Sequence, residues 1–302
     1  MRRVVSISLG TSKRDKSVQT EILGTPFQID RIGTDGDRKR FAALFSELDG
    51  KVDALGVGGC DLYLVIGDRE YPFREITQLV SGAKVTPVVD GSGLKHTLER
   101  ETVQQLQCSG EVDFSKSKTL LMSAVDRYGM AQALHQAGGQ VVYGDLLFGL
   151  GLPLGVHQYR SVEQLGRILL PIITRLPLQW FYPTGEKQEE RKPKFGRMFE
   201  WADVIAGDSL FIYRYAPDRL DGKTILTQSV RKQNIDWLRS AGVHRLITTT
   251  PVFQGETFAT NVMEALLVSL IGKPLAQVQP QDYLDWMAKL EWKPEIQVLN
   301  PK

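Results

Sequence analysis

The chain has little cysteine and almost no excess of charge of either sign. Its two cysteines, Cys60 and Cys108, are too few for a disulfide framework and favour a reducing cytoplasm. Lysine and arginine number 37 and aspartate and glutamate 35, so the overall charge would not attract a nucleic-acid backbone or an anionic membrane. We therefore expect a cytoplasmic protein whose partner is neither nucleic acid nor a membrane.

Long apolar runs and metal-ligand spacings are also missing. The longest candidate membrane segment, residues 146–156, is short and interrupted by glycines and Pro153, so no bilayer span is expected. The four histidines are scattered, and none has zinc-ligand spacing to another histidine or a carboxylate: His96, His135, His157 and His244. There is no Gly-x-Ser-x-Gly elbow and no cysteine in a nucleophile context. These absences argue against a zinc hydrolase and leave no candidate metal site built on histidine or cysteine.

What the chain does contain is an alternation of strand-like and helix-like segments in a composition typical of globular proteins, 42% hydrophobic and 24% charged. The predicted strands are residues 4–9, 18–23, 26–32, 54–57, 62–66, 85–89, 119–124, 141–143, 203–206, 224–227 and 245–250. The predicted helices are residues 38–48, 74–81, 93–107, 130–137, 161–173, 233–241, 259–271 and 280–290. Asp35 or Asp37 would cap the first of these helices.

This alternation predicts an α/β protein with two domains. A polar passage at residues 109–118 separates two α/β units, so we place a smaller α/β domain at residues 1–115 and a second domain at residues 116–302. Strands that alternate with helices favour doubly wound parallel sheets, whose ligands bind beyond the carboxyl ends of the strands.

Residues 118–145 form a predicted strand, turn, helix and strand. A turn that opens a helix after a parallel strand directs backbone N–H groups and the helix dipole at one spot, which favours a phosphate or another anion. Asp145, at the end of the second strand, is where a dinucleotide ribose would be hydrogen-bonded. The turn keeps only Gly129 of a glycine-rich pattern, so a plain βαβ unit is the alternative.

Three further turns are candidates for ligand contacts. Asp90 opens a Gly-Ser-Gly turn before a helix, where it either meets a ligand or caps the helix, and Lys95 lies one turn later as its possible proton-sharing partner or as a solvated lysine. The loop that contains Ser12 carries hydroxyls and positive charge suited to a carboxylate. Thr250 and Gln254 follow a strand and would suit a polyhydroxylated ligand, although a cap and loop explain them almost as well.

The order of elements resembles the shikimate/quinate dehydrogenase family. The likeness spans roughly residues 85–270 and is carried by Asp90-Gly91-Ser92-Gly93-Leu94, by residues 118–138 and by Phe253-Gln254-Gly255-Glu256-Thr257-Phe258. It implies a Rossmann-like second domain whose C-terminal helix packs back on the first domain.

The same resemblance implies roles for individual residues. Asp90 would be the acid of a Lys/Asp catalytic pair, Gln254 a substrate ligand, and residues 123–129, with Ser123, Asp126 and Gly129, the cofactor loop. A basic residue at position 145 would favour NADP, so the acidic Asp145 implies NAD. The family's glycine-rich loop and its lysine motif are absent, so Lys95 is a candidate for the catalytic lysine, as is Lys13.

These observations predict an oxidoreductase that uses NAD or NADP on a hydroxylated alicyclic acid of the shikimate or quinate type. Lys95 and Asp90 would relay the hydroxyl proton, Gln254 would hold a ring hydroxyl, and Thr250 and Ser12 would contact the anionic substrate. The first alternative is a non-catalytic α/β protein that binds a small anionic metabolite. The second is a non-redox enzyme that uses Asp90, Asp126 or Asp145 with a divalent metal. The sequence predicts no oligomeric state.

Overall fold

The fold is described by a computed structural model for residues 1–177, 180, 185, 190–250, 252–253 and 256–301. The first quarter of the chain forms one five-stranded sheet and a small hairpin. Its strands are β1 (Arg2–Ser8), β2 (Lys16–Ile22), β3 (Thr25–Gly33), β4 (Ala54–Gly58), β5 (Tyr63–Ile66), β6 (Arg69–Pro72) and β7 (Val88–Val89). The sheet order is β2-β3-β1-β4-β7, in which only β2 is antiparallel, and β5 pairs with β6 apart from it. The predicted hairpin of β2 and β3 is confirmed.

Two helices cover one face of this sheet, α1 (Arg38–Leu48) and α2 (Arg74–Val80). The side chain of Asp37 caps α1, because its carboxylate accepts hydrogen bonds from the N–H groups of Lys39 and Arg40. The apolar stripe of α1 is buried against the sheet, as the spacing of its phenylalanines and leucines predicts.

Two linking helices lead to the second sheet, α3 (Ser92–His96) and α4 (Leu98–Ser109). The sequence pattern predicts a single helix there, and Thr97 is where it breaks. The Thr97 hydroxyl donates a hydrogen bond of 2.7 Å to the carbonyl oxygen of Gly93, a side-chain bond that bends helices because it competes with the regular backbone bonds.

The second sheet has five parallel strands and one antiparallel edge. Its strands are β8 (Lys118–Leu121), β9 (Gln140–Tyr143), β10 (Val204–Ala206), β11 (Thr224–Thr227), β12 (Arg245–Thr248) and, after the short pair β13 (Val252–Phe253) and β14 (Glu256–Thr257), β15 (Glu295–Val298). The order β9-β8-β10-β11-β12-β15 makes this a doubly wound, Rossmann-like sheet with its topological switch between β8 and β10. The α/β fold class is therefore confirmed.

Helices surround the second sheet and one of them returns to the first. They are α5 (Tyr128–Ala137), α6 (Tyr159–Ile173), α7 (Gly196–Trp201), α8 (Ser209–Tyr215), α9 (Lys232–Ser240), α10 (Thr260–Ile271) and α11 (Pro280–Lys289). A π-helical turn, Asp145–Gly149, follows β9. The sequence pattern missed α7, α8 and β15, which are short and alternate weakly. None of the helices in the described ranges has both the length and the apolar character of a membrane span.

Helix α10 packs on β1 and β4, as the family resemblance implies for a late helix. Its Asn261 amide donates a hydrogen bond of 2.7 Å to the Ser6 hydroxyl, and Gly56 in β4 leaves room for this close approach, since a β-carbon there would lie 3.1 Å from Asn261. One apolar core runs from the first sheet, through Val5, Phe41 and Leu55, to the α5 side of the second sheet. The two sheets are therefore parts of one packed unit.

Gly129, in the first turn of α5, lies against α3 with no space for a side chain. A β-carbon at this position would be 2.6 Å from the Lys95 carbonyl oxygen and 2.9 Å from the His96 α-carbon. We expect Gly129→Ala to lower the free energy of unfolding by about 1–3 kcal/mol, because backbone atoms of α3 would have to move. Urea denaturation measures this.

Gly196→Ala is the matched control, since a β-carbon there meets nothing within 4 Å and its backbone is helical. We expect it to leave stability unchanged or raise it by up to ~1 kcal/mol. Equal stability of the two variants would show that the contact between α5 and α3 is not tight.

Candidate functional site

A cleft of about 1250 Å³ opens where the carboxyl ends of both sheets meet. Ser8 and Gly58 reach it from the first sheet, and Ser123, Asp208 and Gln228 follow strands of the second. This is where open parallel sheets bind ligands, and the switch between β8 and β10 lies on its wall.

Lys95, on α3, is the central cation of the cleft. Its Nζ donates to Asp61 Oδ1 at 2.5 Å and to Asp126 Oδ1 at 2.6 Å. Asp61 follows β4, whereas Asp126 lies in the loop after β8, so the ammonium group links the two sheets. Its side chain is only 7% exposed.

The pKa values of this triad follow from burial and charge. Burial lowers the pKa of Lys95, but the carboxylates of Asp126 and Asp61 outweigh burial and raise it above its ordinary value. Burial raises the pKa of Asp61 to about 6, although Lys95 opposes this. Burial also favours the neutral form of Asp126, yet Lys95 and Arg127 lower its pKa overall. Asp61 is thus the carboxyl group of the triad whose pKa is raised overall, and Asp126 is the one whose pKa is lowered.

Arg127 extends this network across the switch point. Its guanidinium donates to Glu99 on α4, to Asp126 Oδ2 at 3.0 Å and to Asp208 Oδ2 at 3.1 Å. Gln228 Nε2 donates to the same Asp208 oxygen at 2.5 Å. Burial raises the pKa of Glu99 to about 7 against the opposing charge of Arg127. The network therefore ties the linking helices to the loops after β8, β10 and β11.

The structure does not place Asp90 in a hydrogen-bonded pair with Lys95. The Asp90 carboxylate accepts hydrogen bonds from the N–H groups of Leu62, at 2.6 Å, and Ser92, at 2.9 Å. Lys95 thus pairs with Asp61 and Asp126, whereas Asp90 binds the backbone of its own turn, and the catalytic roles of Asp90 and Lys95 stay predictions. Asp90 nevertheless lines the cleft.

The other amides of the Asp90 turn are also occupied. Glu264 of α10 accepts hydrogen bonds from the N–H groups of Gly91 at 2.6 Å and Gly93 at 3.1 Å, and from the Tyr283 hydroxyl at 2.8 Å. Burial, with the charge of Asp90 nearby, raises the pKa of Glu264 to about 7.

In the loop after β8, the backbone N–H groups predicted to bind a cofactor phosphate bind the carboxylate of Asp145 instead. Asp145 accepts hydrogen bonds from the Ser123 hydroxyl at 2.9 Å and from the N–H groups of Ala124 and Val125, each at 3.0 Å. A pyrophosphate cannot use these N–H groups while Asp145 holds them, and the charge of Asp126 would repel it. The residues of this loop therefore do not fit a dinucleotide pyrophosphate. Both carboxylate oxygens of Asp145 accept hydrogen bonds within this loop.

Three of the predicted site residues, Gly129, Ser12 and Thr250, are not among the residues that line the cleft. Gly129 packs against α3, and the N–H of Ser12 donates to Asp35 Oδ1 at 2.8 Å. Thr250 is fully buried, and both its N–H and its hydroxyl donate to the carbonyl oxygen of Gln228. Gln254 lies outside the described residues, so its predicted role stays a prediction.

A strip of cations lines another part of the cleft: Arg14, Lys16, Arg31, Arg231 and Lys232. Arg31, in β3, donates to Asp15 Oδ1 at 2.8 Å and to the carbonyl oxygen of Thr11 at 3.0 Å. Burial lowers its pKa, Asp15 opposes this, and the positive charge of Arg231 lowers the pKa further. Arg231 precedes α9, so cations that follow strands of both sheets line this part of the cleft.

The sequence pattern did not reveal several of these residues. Asp61 follows a strand and a Gly-Gly turn, which is a detectable signal. Gln228 follows a predicted strand directly. Arg31 and Arg231 carry no local signal, because residues of the two domains meet only in the folded chain. Within the described part of the chain, no group of three or more histidine, cysteine, aspartate or glutamate side chains is arranged to hold a metal ion.

These features define an α/β protein of two parallel sheets with an ionic interdomain cleft. The chain belongs to the family described as "Domain of unknown function (DUF8754)", whose model matches residues 93–299. A second model, "Domain of unknown function (DUF8753)", matches residues 3–90. The two models divide the chain before α3, whereas the sequence pattern places its domain boundary after residue 115.

Comparison with other proteins adds only distant likenesses. No curated protein matches the chain. A glutamate dehydrogenase from Thermus thermophilus is 11% identical with a TM-score of 0.44, covering 96% of this chain and 72% of that one. A galactofuranose binding protein is 9% identical with a TM-score of 0.39, covering 99% and 95%. A putative malic enzyme is 12% identical with a TM-score of 0.34, covering 89% and 71%. Neighbours thus include dehydrogenases and a sugar-binding protein, and no activity follows from likenesses this distant.

Lys95→Met tests the ion network. We expect it to lower the free energy of unfolding by about 3–5 kcal/mol at pH 8, because the Asp61 and Asp126 carboxylates lose their buried cation. The loss should shrink at pH 5, since the folded variant relieves its repulsion by taking up protons there. Denaturant unfolding at the two pH values measures this. Lys116→Met, at an exposed surface pair, should have little effect at either pH.

Proposed function

We propose that this protein binds an anionic small molecule in the interdomain cleft, with its anionic group held between Arg31 and Arg231. The supporting observation is that Arg31, in β3, and Arg231, which precedes α9, both line this cleft, together with three further cations. Arg31 already pairs with Asp15, and an anion bound between the two guanidinium groups would be attracted by both of them.

The chemistry of the cleft supports this choice of ligand. Guanidinium groups form bidentate hydrogen bonds to carboxylates and phosphates, and Arg14, Lys16 and Lys232 add charge of the same sign. Lys95, Asp61 and Gln228 offer donors and acceptors for ligand hydroxyls. The free, unbridged Cys60 and Cys108 are compatible with the cytoplasmic setting that we propose.

Arg231→Gln tests the anion site. Phosphate, citrate or quinate at about 100 times its Kd should stabilise the wild-type protein by about 2.7 kcal/mol, which a thermal unfolding series detects as a rise in Tm. In Arg231→Gln this rise should disappear. Arg239→Gln is the control, because Arg239 lies on the same helix α9 but pairs with Asp236 outside the cleft. A wild-type Tm that responds to none of the three anions would contradict the proposal.

A second candidate function is an oxidoreductase that acts on a hydroxylated alicyclic acid, with NAD or NADP as the hydride carrier. The Lys95–Asp61 pair favours it, since a buried ammonium beside a carboxyl group of pKa about 6 can hold and exchange the proton of a substrate hydroxyl. The nicotinamide cofactor would have to bind without the loop amides that Asp145 occupies.

Titration with NADH and NADPH separates the two functions. In an oxidoreductase, either cofactor should quench the emission of the five tryptophans and saturate in the micromolar range, and Asp61→Asn should then cut turnover with little change in cofactor affinity. Absence of quenching by both cofactors at millimolar concentration would remove the oxidoreductase and leave anion binding standing.

A further inference from the structure

We infer that the ligand of the cleft is an anionic amphiphile, with an acidic head at the Arg31–Arg231 strip and an apolar body along helix α6. This inference rests on the proposed function and adds the chemical class of the ligand. Part of the cleft wall carries no charge.

One face of α6 forms an apolar wall of the cleft. Leu165, Leu169 and Ile173 are four residues apart, so they lie on one side of the helix, and all three line the cleft. None of them is fully buried in the protein, whereas Val162 and Leu170 of the same helix are. Partly exposed apolar side chains in a concave site mark a surface that a ligand covers.

Other elements continue this wall. The turn after β9 and the first turn of α8 add leucine and phenylalanine side chains: Leu146, Phe148, Leu150, Leu210 and Phe211. The apolar surface therefore comes from three segments of the second domain.

The apolar wall and the cationic strip belong to one cleft. Arg231 directly precedes α9, and Val230 and Ile235, close to it in the sequence, line the same cleft. A ligand with its acid on Arg231 thus has apolar residues available in the same cleft. The opposite charge of ligand and strip fixes which end binds there.

The size of the cleft leaves room for a ligand larger than its acidic head. Pockets that enclose drug-sized ligands usually hold about 300–1000 Å³, and this cleft exceeds that range. A short hydroxylated acid would contact the guanidinium groups and leave the leucines of α6 in water. A ligand without charge would cover the leucines without an attraction to the cations of the strip.

Calorimetric titration with straight-chain acids of increasing length tests the inference. Acetate, butanoate, octanoate and dodecanoate, each below its micelle concentration, share one carboxylate and differ only in apolar length. We expect affinity to rise by about fourfold per methylene until the wall is covered. Dodecylammonium, which has the same tail and the opposite charge, should bind more weakly than dodecanoate.

Two neighbouring residues of α6 supply matched variants. Leu169→Gln changes the cleft wall and should weaken dodecanoate at least tenfold without affecting acetate. Ile168→Gln changes a side chain that is 66% exposed and outside the cleft lining, and should leave both affinities unchanged. Arg231→Gln should weaken dodecanoate and acetate by the same factor, since both carry the same head.

The failures of the two proposals are distinguishable. Affinity that does not depend on chain length, with Tm still raised by short anions, would overturn the amphiphile and keep the anion site. Equal losses from Leu169→Gln and Ile168→Gln would overturn the apolar wall. A protein that binds no acid of any length would overturn both proposals.

Discussion

The contact on which the site depends is the ion network in which Lys95 and Arg127 join the two sheets. Lys95 draws Asp61 of the first sheet toward Asp126 of the second, and Arg127 joins Glu99 of the linking helix to Asp208. Buried charges carry a large desolvation cost, which is offset only when each has well-placed partners. The network therefore specifies one arrangement of the cleft more than it adds stability.

Two turns whose backbone N–H groups could bind an external anion bind carboxylates of the protein itself. Asp145 occupies the amides of the loop after β8, and Glu264 occupies those of the turn before α3. These two turns are where a parallel sheet would otherwise hold a phosphate, since backbone N–H groups converge there. In the function that we propose, guanidinium side chains bind the external anion instead, and their positions depend on how the two sheets pack.

The local elements with strong patterns were predictable. Helix α1 has an acidic cap and a complete apolar stripe, and the hairpin of β2 and β3 has alternating residues around a Gly-Thr turn, so short-range physics specifies both. Several short elements were not predicted, among them β6, α7, α8 and β15, because too few residues repeat in each to establish a period. The break between α3 and α4 arises at one threonine side chain that an ordinary helix also tolerates.

By itself, the sequence determined the α/β class, the alternation of parallel strands with helices, and the end of the strands at which the cleft opens. These features follow from periodicity within segments of five to fifteen residues. It also marked Lys95 as a charged candidate at the start of a helix. Only the tertiary structure decided that Asp61 and Asp126 pair with Lys95, and that Arg31 and Arg231 line the same cleft. The members of each group are tens to hundreds of residues apart in the chain, so no local sequence pattern indicates that they come together.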